Sequence, residues 1–176
     1  MTAFGLSHEP LDPGALMTPL AAAAAGGFAT FEGRVRDAND GRAVTGLDYE
    51  AFEELALAEG QRIVEAAMRH HGVLKARCVH RLGRLAVGDV AVWIGVAGVH
   101  RDEAFAACRE IIDEIKHRVP IWKKEHYATG DSGWVNCERC AAHAHGPAAA
   151  GLQFDYSRQA ALPEIGAAGQ ERLARA

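Results

Sequence analysis

Val90-Ala91-Val92-Trp93-Ile94-Gly95-Val96-Ala97-Gly98-Val99, followed by His100-Arg101-Asp102, and later by Lys116-His117-Arg118-Val119-Pro120-Ile121-Trp122-Lys123-Lys124, is the stretch on which the fold turns. Residues 90–99 are a nearly continuous apolar run rich in β-branched side chains, which reads as a central strand. The period then changes. Phe105, Cys108, Ile111, Ile112 and Ile115 recur at helical spacing, so His100–Arg118 reads as a helix with Asp102 as its N-cap. Pro120 cannot continue that helix, and Ile121 to Lys124 must follow in a different conformation.

Upstream, Lys75–Leu82 sets Ala76, Cys78, His80 and Leu82 on one side, the pattern of a half-buried strand, and Gly88-Asp89 turns the chain into residue 90. Glu50–His71 reads as a helix with Phe52, Leu55, Ile63 and Ala67 near one stripe and Gly72 as its stop, although Gly60 interrupts it. Gly26–Val35 and Val44–Tyr49 read as strands joined across Arg36–Arg42, where Asp40-Gly41 is a strong turn signal. Downstream, Thr129–Gly133 reads as a turn and Trp134–Asn136 as a short strand. Residues 1–25, with Pro10, Pro13, Pro19 and an alanine tract, read as a variable leader holding a short strand or helical turn. Hairpins and separate helices together specify an α+β fold.

Composition narrows the function. A chain of 176 residues with 49% hydrophobic content can bury one substantial core. The net charge of −4 speaks against a nucleic-acid binder. No apolar run approaches the roughly 20 residues that span a bilayer, and the first residues carry no basic region of a secretory signal. The four cysteines (Cys78, Cys108, Cys137, Cys140) are not spaced as a secreted disulfide framework, so a reducing, cytoplasmic setting is expected. Neither standard Gly-rich phosphate loop is present, and no cofactor is expected.

The cations are more informative. Lys116 lies four residues after Ile112 and eleven after Phe105, so at about 100° per residue the three project nearly the same way. Spacing alone leaves two readings: a lysine snorkelling at a helix C-terminus, or a cation facing a ligand. Lys123 follows the proline break, so both amines can converge on one anion from different elements while Lys124 points elsewhere. His100 and Arg101 sit where a strand meets a helix N-terminus, a common place for anion contacts and an equally ordinary solvated strand end. Arg34 and Arg36 flank a loop.

Taken jointly these residues resemble a family. Phe31-Glu32-Gly33-Arg34-Val35-Arg36, His80-Arg81-Leu82-Gly83, Val99-His100-Arg101, Lys116 through Glu125, and Gly133-Trp134-Val135 occur in the order of molybdopterin synthase large, catalytic subunits, over about residues 28–136. The resemblance implies an α/β hammerhead-type fold with antiparallel sheet and packed helices. It implies a homodimer that binds a small ubiquitin-like sulfur-carrier subunit, giving a heterotetramer. The implied reaction is that of a sulfurtransferase: cyclic pyranopterin monophosphate becomes molybdopterin, with sulfur from the thiocarboxylated C-terminus of the small subunit. By motif, Lys116 would be the principal catalytic lysine and Lys123 would sit beside the inserted tail. Arg36 would bind the pterin phosphate, Phe31 would line the pocket, and His100 and Arg101 would be donated across the dimer interface. Both reactants are anionic, so capture needs fixed cations, and ring opening needs proton transfers that a lysine can perform. With sulfur supplied by the partner, Cys78 and Cys108 read as small core residues. A basic residue common in the family after the Trp-Val pair is replaced here by Asn136-Cys137-Glu138-Arg139-Cys140.

The C-terminal part adds a second resemblance. The expected organisation is a leader at 1–25, the synthase domain at 26–140, a linker at 141–153 and a further unit at 154–176. Cys137, Cys140, His143 and His145 have the ligand types of a zinc site at very tight spacing, against the alternative of an exposed cysteine pair. Tyr156-Ser157-Arg158-Gln159, Leu162-Pro163-Glu164-Ile165-Gly166 and Gly169 to Leu173 resemble the opening of molybdopterin-synthase adenylyltransferases, cut short before any nucleotide loop. Two rival functions stay open: a docking module that recruits a ubiquitin-like protein without catalysis, and a small metal-binding protein built on the Cys/His tail.

Overall fold

The computed structural model describes residues 2–135. Strands β1 (Phe4–Ser7), β2 (Gly27–Arg34), β5 (Lys75–Arg81) and β7 (Val90–Gly98) form one sheet in the order β1-β5-β7-β2. Strands β3 (Ala38–Asn39), β4 (Arg42–Ala51), β8 (Ile121–Tyr127) and β9 (Ser132–Val135) form a second, with β6 (Gly83–Ala86) also paired to β4. Helices α2 (Glu53–His71) and α3 (Arg101–Arg118) cover the first sheet, and α1 (Pro13–Met17) lies in the N-terminal segment. The α+β expectation holds, with one pair departing from antiparallel: β1 runs parallel to β5.

β7 is interior to its sheet and buried along its whole length. Alternate side chains explain why its sequence does not alternate. Val92, Ile94 and Val96 enter the main core with Ile63, Val64, Ala107, Ile111 and Ile115 from the helices. Trp93, only 1% exposed, points to the opposite face, where Leu20 packs on it with Leu11 and Leu16 beside. The leader expected to be variable thus lids the second face of the central strand. Asp12 caps α1 through its Oδ1, and the Lys75 ammonium donates to the carbonyls of Pro19 and Ala21 at 3.1 and 2.7 Å.

β1 is held from both sides. Its register runs against β5, and Gln61 Oε1 of α2 accepts from the backbone N–H of Ala3 and Phe4 at 2.8 and 3.1 Å. Gly60 finds its reason there: a Cβ at this position would stand 2.3 Å from Cδ1 of Phe4. At the hairpin tip Asp40 and Gly41 both take positive φ, 48° and 75°, the left-handed pair that a tight strand reversal demands.

Several boundaries differ from the sequence expectation. Glu50 and Ala51 belong to β4, not to the helix, because they pair with Trp122 and Ile121 of β8. The N-cap of α3 is His100, and Asp102 stands within the first turn, where its negative charge still suits the helix dipole. β9 begins at Ser132, two residues earlier than expected. Phe105 lies on the outer flank of the α3 stripe, 63% exposed.

Candidate active site

The two sheets and the C-terminal turn of α3 enclose a cleft of about 240 Å³. Four of the cations singled out in the sequence meet in its wall, Arg34 at the end of β2 being one. Arg36 comes from the loop after β2, Lys116 from the last turn of α3, and Lys123 from β8, beyond the Pro120 break. Leu47 and Val44 of β4, Val92 of β7, and Ile112, Ile115 and Ile121 supply its apolar wall, beside the polar groups of Asn39, His80 and Glu125. Cationic and apolar groups in one wall suit a flat, partly apolar ligand carrying negative charge.

Lys123 is fixed by a residue that the sequence reading passed over. Its ammonium lies 2.9 Å from Oε1 of Glu125, which is buried at 2% exposure. The other carboxylate oxygen accepts from the Tyr127 hydroxyl at 2.9 Å and from Asn39 Nδ2 at 3.2 Å. Asn39 Oδ1 in turn accepts from Arg36 at 3.0 Å. One buried carboxylate thereby links the hairpin loop that carries Arg36 to the strand that carries Lys123. Burial alone would raise the Glu125 carboxyl; the hydrogen bonds from Lys123 and Tyr127 more than offset it and hold it below the usual carboxylate range. The available signal was the Lys-x-Glu spacing, which on a strand places both side chains on one face. Lys124 goes to the other face, its ammonium 5.8 Å from the centre of the Trp134 ring.

On the cleft's inner side, His80 and Tyr49 meet edge to face at 4.8 Å, and His80 Nδ1 lies 2.8 Å from the Arg81 carbonyl oxygen. Arg81 serves the fold: it pairs with Asp89 at 2.8 Å and so closes the Gly88-Asp89 turn. Two residues beyond Lys116, Arg118 pairs with the buried Glu59 and so ties the last turn of α3 to α2. A second, more open cleft shares Lys116 and Ile112 with the first and contains Phe31, Thr30 and Phe105. Phe31 lies in this neighbouring cleft, away from Arg36 and Lys123.

His100 and Arg101 are not brought to the site. They are exposed at the opposite end of α3. Sixteen helical residues at 1.5 Å each put them about 24 Å from Lys116 along the axis. Cys78 and Cys108 are buried, and burial pushes the Cys108 thiol up to about 11 and Cys78 further, which suits core packing and not nucleophilic attack. Cys137, Cys140, His143 and His145 lie outside the described residues, as does the stretch 154–176. No helix among the described residues is long and apolar enough to cross a membrane.

The family model described as MoaE protein matches residues 6–118. A molybdopterin synthase catalytic subunit of Synechococcus elongatus is 51% identical over 115 residues, covering 64% of this chain and 70% of the relative. One from Nostoc is 40% identical over 139 residues, covering 78% and 84%. Among solved structures, molybdopterin synthase from Staphylococcus aureus aligns with a TM-score of 0.72 at 32% identity, over 77% of this chain and 98% of that one. A protein–protein complex of subunits 1 and 2 of molybdopterin-converting factor from Helicobacter pylori shares the fold, with a TM-score of 0.63 at 24% identity over 75% and 89%. With the family match running from within β1 through β7 to the end of α3, the chain belongs to the MoaE protein family, that of the molybdopterin synthase catalytic subunits.

Proposed function

We propose that the cleft between the two sheets converts cyclic pyranopterin monophosphate to molybdopterin, as the sulfurtransferase half of a two-protein enzyme. The observation that carries this reading is the convergence of Lys116, Lys123 and Arg36, from three separate segments, on one partly apolar cleft. A cyclic phosphate and a thiocarboxylate are both anions, and fixed cations in a partly dehydrated cleft hold them more strongly than mobile surface charges would. Arg36 takes the phosphate, with its guanidinium oriented by Asn39. Lys123, held by Glu125, lies alongside the entering C-terminal tail of a small ubiquitin-like subunit. Lys116, between the two clefts, transfers protons during ring opening and sulfur addition.

The sulfur donor is the thiocarboxylated C-terminus of that small subunit, and the Helicobacter pylori neighbour, solved as a two-subunit complex, supports such a partner. The roles of His100 and Arg101 require a second copy of the chain, because their own cleft is too far away. Exposed Phe28 and Phe105, on the two elements that flank the second cleft, supply apolar surface for a homodimer, and two small subunits complete a heterotetramer. The setting proposed is cytoplasmic. Residues 154–176 are proposed as an adenylyltransferase-like stretch.

Reconstitution with the thiocarboxylated small subunit and the pterin precursor, following dithiolene formation, tests the assignment. Lys116→Ala is expected to abolish product and leave the fold intact, since its side chain borders the core without filling it. Near-normal turnover of a folded Lys116→Ala protein refutes the catalytic role.

A further inference from the structure

Away from the cleft, His70 and His71 close the last turn of α2 and meet Glu110 from the middle of α3. His70 Nδ1 and His71 Nε2 lie 2.8 and 2.7 Å from the same Glu110 oxygen, Oε2. Neighbours on a helix point about 100° apart, so they rarely serve one point. Here the near nitrogen of one ring and the far nitrogen of the other make up the difference, and the rings stack at 4.4 Å with a 32° tilt. All three donor atoms fall within 4.8 Å of one another. Among the described residues this is the group of His, Cys, Asp or Glu side chains that converges in this way.

We propose that His70, His71 and Glu110 form a divalent-metal site, for zinc or a similar borderline cation, that clips the end of α2 to α3. Two imidazoles and a carboxylate are a common ligand set for zinc. Bonds of about 2.0–2.1 Å in a tetrahedron set ligand atoms about 3.3 Å apart, so shifts on the order of 1 Å from the present hydrogen-bonded arrangement seat the ion. Metal binding replaces the two hydrogen bonds to Glu110, and each imidazole gives up the proton on its coordinating nitrogen. The negative end of the α2 dipole, whose last turn carries both imidazoles, adds to the attraction for a cation. His70 is largely exposed, which leaves the fourth position to water and the ion exchangeable.

The test uses the full chain and zinc alone, titrated against a chromophoric chelator. The tail thiols are removed first by Cys137→Ser with Cys140→Ser, so that they cannot supply the signal. That protein is expected to bind a single zinc. At free zinc a hundredfold above Kd, its Tm is expected to rise by roughly 5–10 °C. His71→Ala and Glu110→Gln in the same background lose both effects, and circular dichroism with chelator present reports whether each variant folds. His70→Ala, at the most exposed ligand, weakens binding without threatening the fold. Dithiolene formation by each ligand variant matches that of its thiol-free parent, since His70, His71 and Glu110 do not line the cleft. Absence of bound zinc in the thiol-free protein, or undiminished binding by the folded His71→Ala or Glu110→Gln variant, overturns the site.

Discussion

Replacing Glu125 by Gln changes one charge and almost no volume, at the carboxylate where the cleft is tied together. The carboxylate receives three donors: Lys123 on Oε1, and Asn39 with Tyr127 on Oε2. An amide can keep its oxygen toward Asn39 and Tyr127, but its NH2 must then face the Lys123 ammonium, donor against donor. One hydrogen bond between charged groups is lost, worth about 1.5–3 kcal/mol. Lys123 is partly exposed and recovers some of that from water, so the net loss of stability is about 1–2 kcal/mol. For a chain of this size that lowers Tm by about 2–8 °C.

The effect depends on pH in a definite direction. The folded-state value of Glu125 is depressed, so its stabilisation is present above the ordinary glutamate value of about 4.3 and lost as pH falls through the depressed one. Thermal melts of wild type and Glu125→Gln are expected to differ at pH 7 and to converge in acid below pH ~4. Dithiolene formation at pH 7 is expected to fall by more than the stability loss explains, because Lys123 is no longer held. Coincident melts at pH 7, or a gap that persists unchanged in acid, would refute the role given to this carboxylate.

Gly60→Ala is expected to destabilise despite the gain of about 1 kcal/mol in helix propensity: the new methyl meets the buried Phe4 ring, and overpacking costs about 1–3 kcal/mol or more. A raised Tm would mean that the edge strand yields freely. His100→Ala and Lys116→Ala proteins, each inactive, are expected to regain partial activity when mixed and allowed to exchange subunits; no recovery despite demonstrated exchange would remove the shared site. Deleting everything after Gly146 is expected to leave dithiolene formation nearly unchanged, because every assigned residue lies upstream, and a large fall would show that the tail completes the site.

What could be read from the sequence was what local spacing encodes. β7, α3 and the Asp40-Gly41 turn follow from an apolar run, a helical period and a left-handed pair of residues, each complete within a short window. The larger misreadings are non-local. Glu50 and Ala51 suit a helix until β8 pairs with them across some seventy residues. β1 looks like leader until a parallel partner and Gln61 of α2 supply its hydrogen bonds. Glu125 closes the motif beside two lysines, but one of its partners, Asn39, is 86 positions away. The resemblance that named Lys116, Lys123 and Arg36 gave no role to the carboxylate that links two of them.

The geometry of α3 also limits how any complete site can be built. Its two ends carry Lys116 and His100, and an intact 18-residue helix keeps them apart as a rigid rod about 27 Å long. No loop motion of one chain brings both ends to one substrate, because the middle of the rod is locked in the core through Ala107, Cys108, Ile111 and Ile115. If His100 and Arg101 act on the same pterin as Lys116, the second helix must belong to another copy. The exposed aromatic side chains that flank the second cleft, where Lys116 is also accessible, lie on the face such a copy would have to approach. On that proposal dimerisation would have a chemical purpose: it would supply to each cleft the His100 and Arg101 that its own chain holds out of reach.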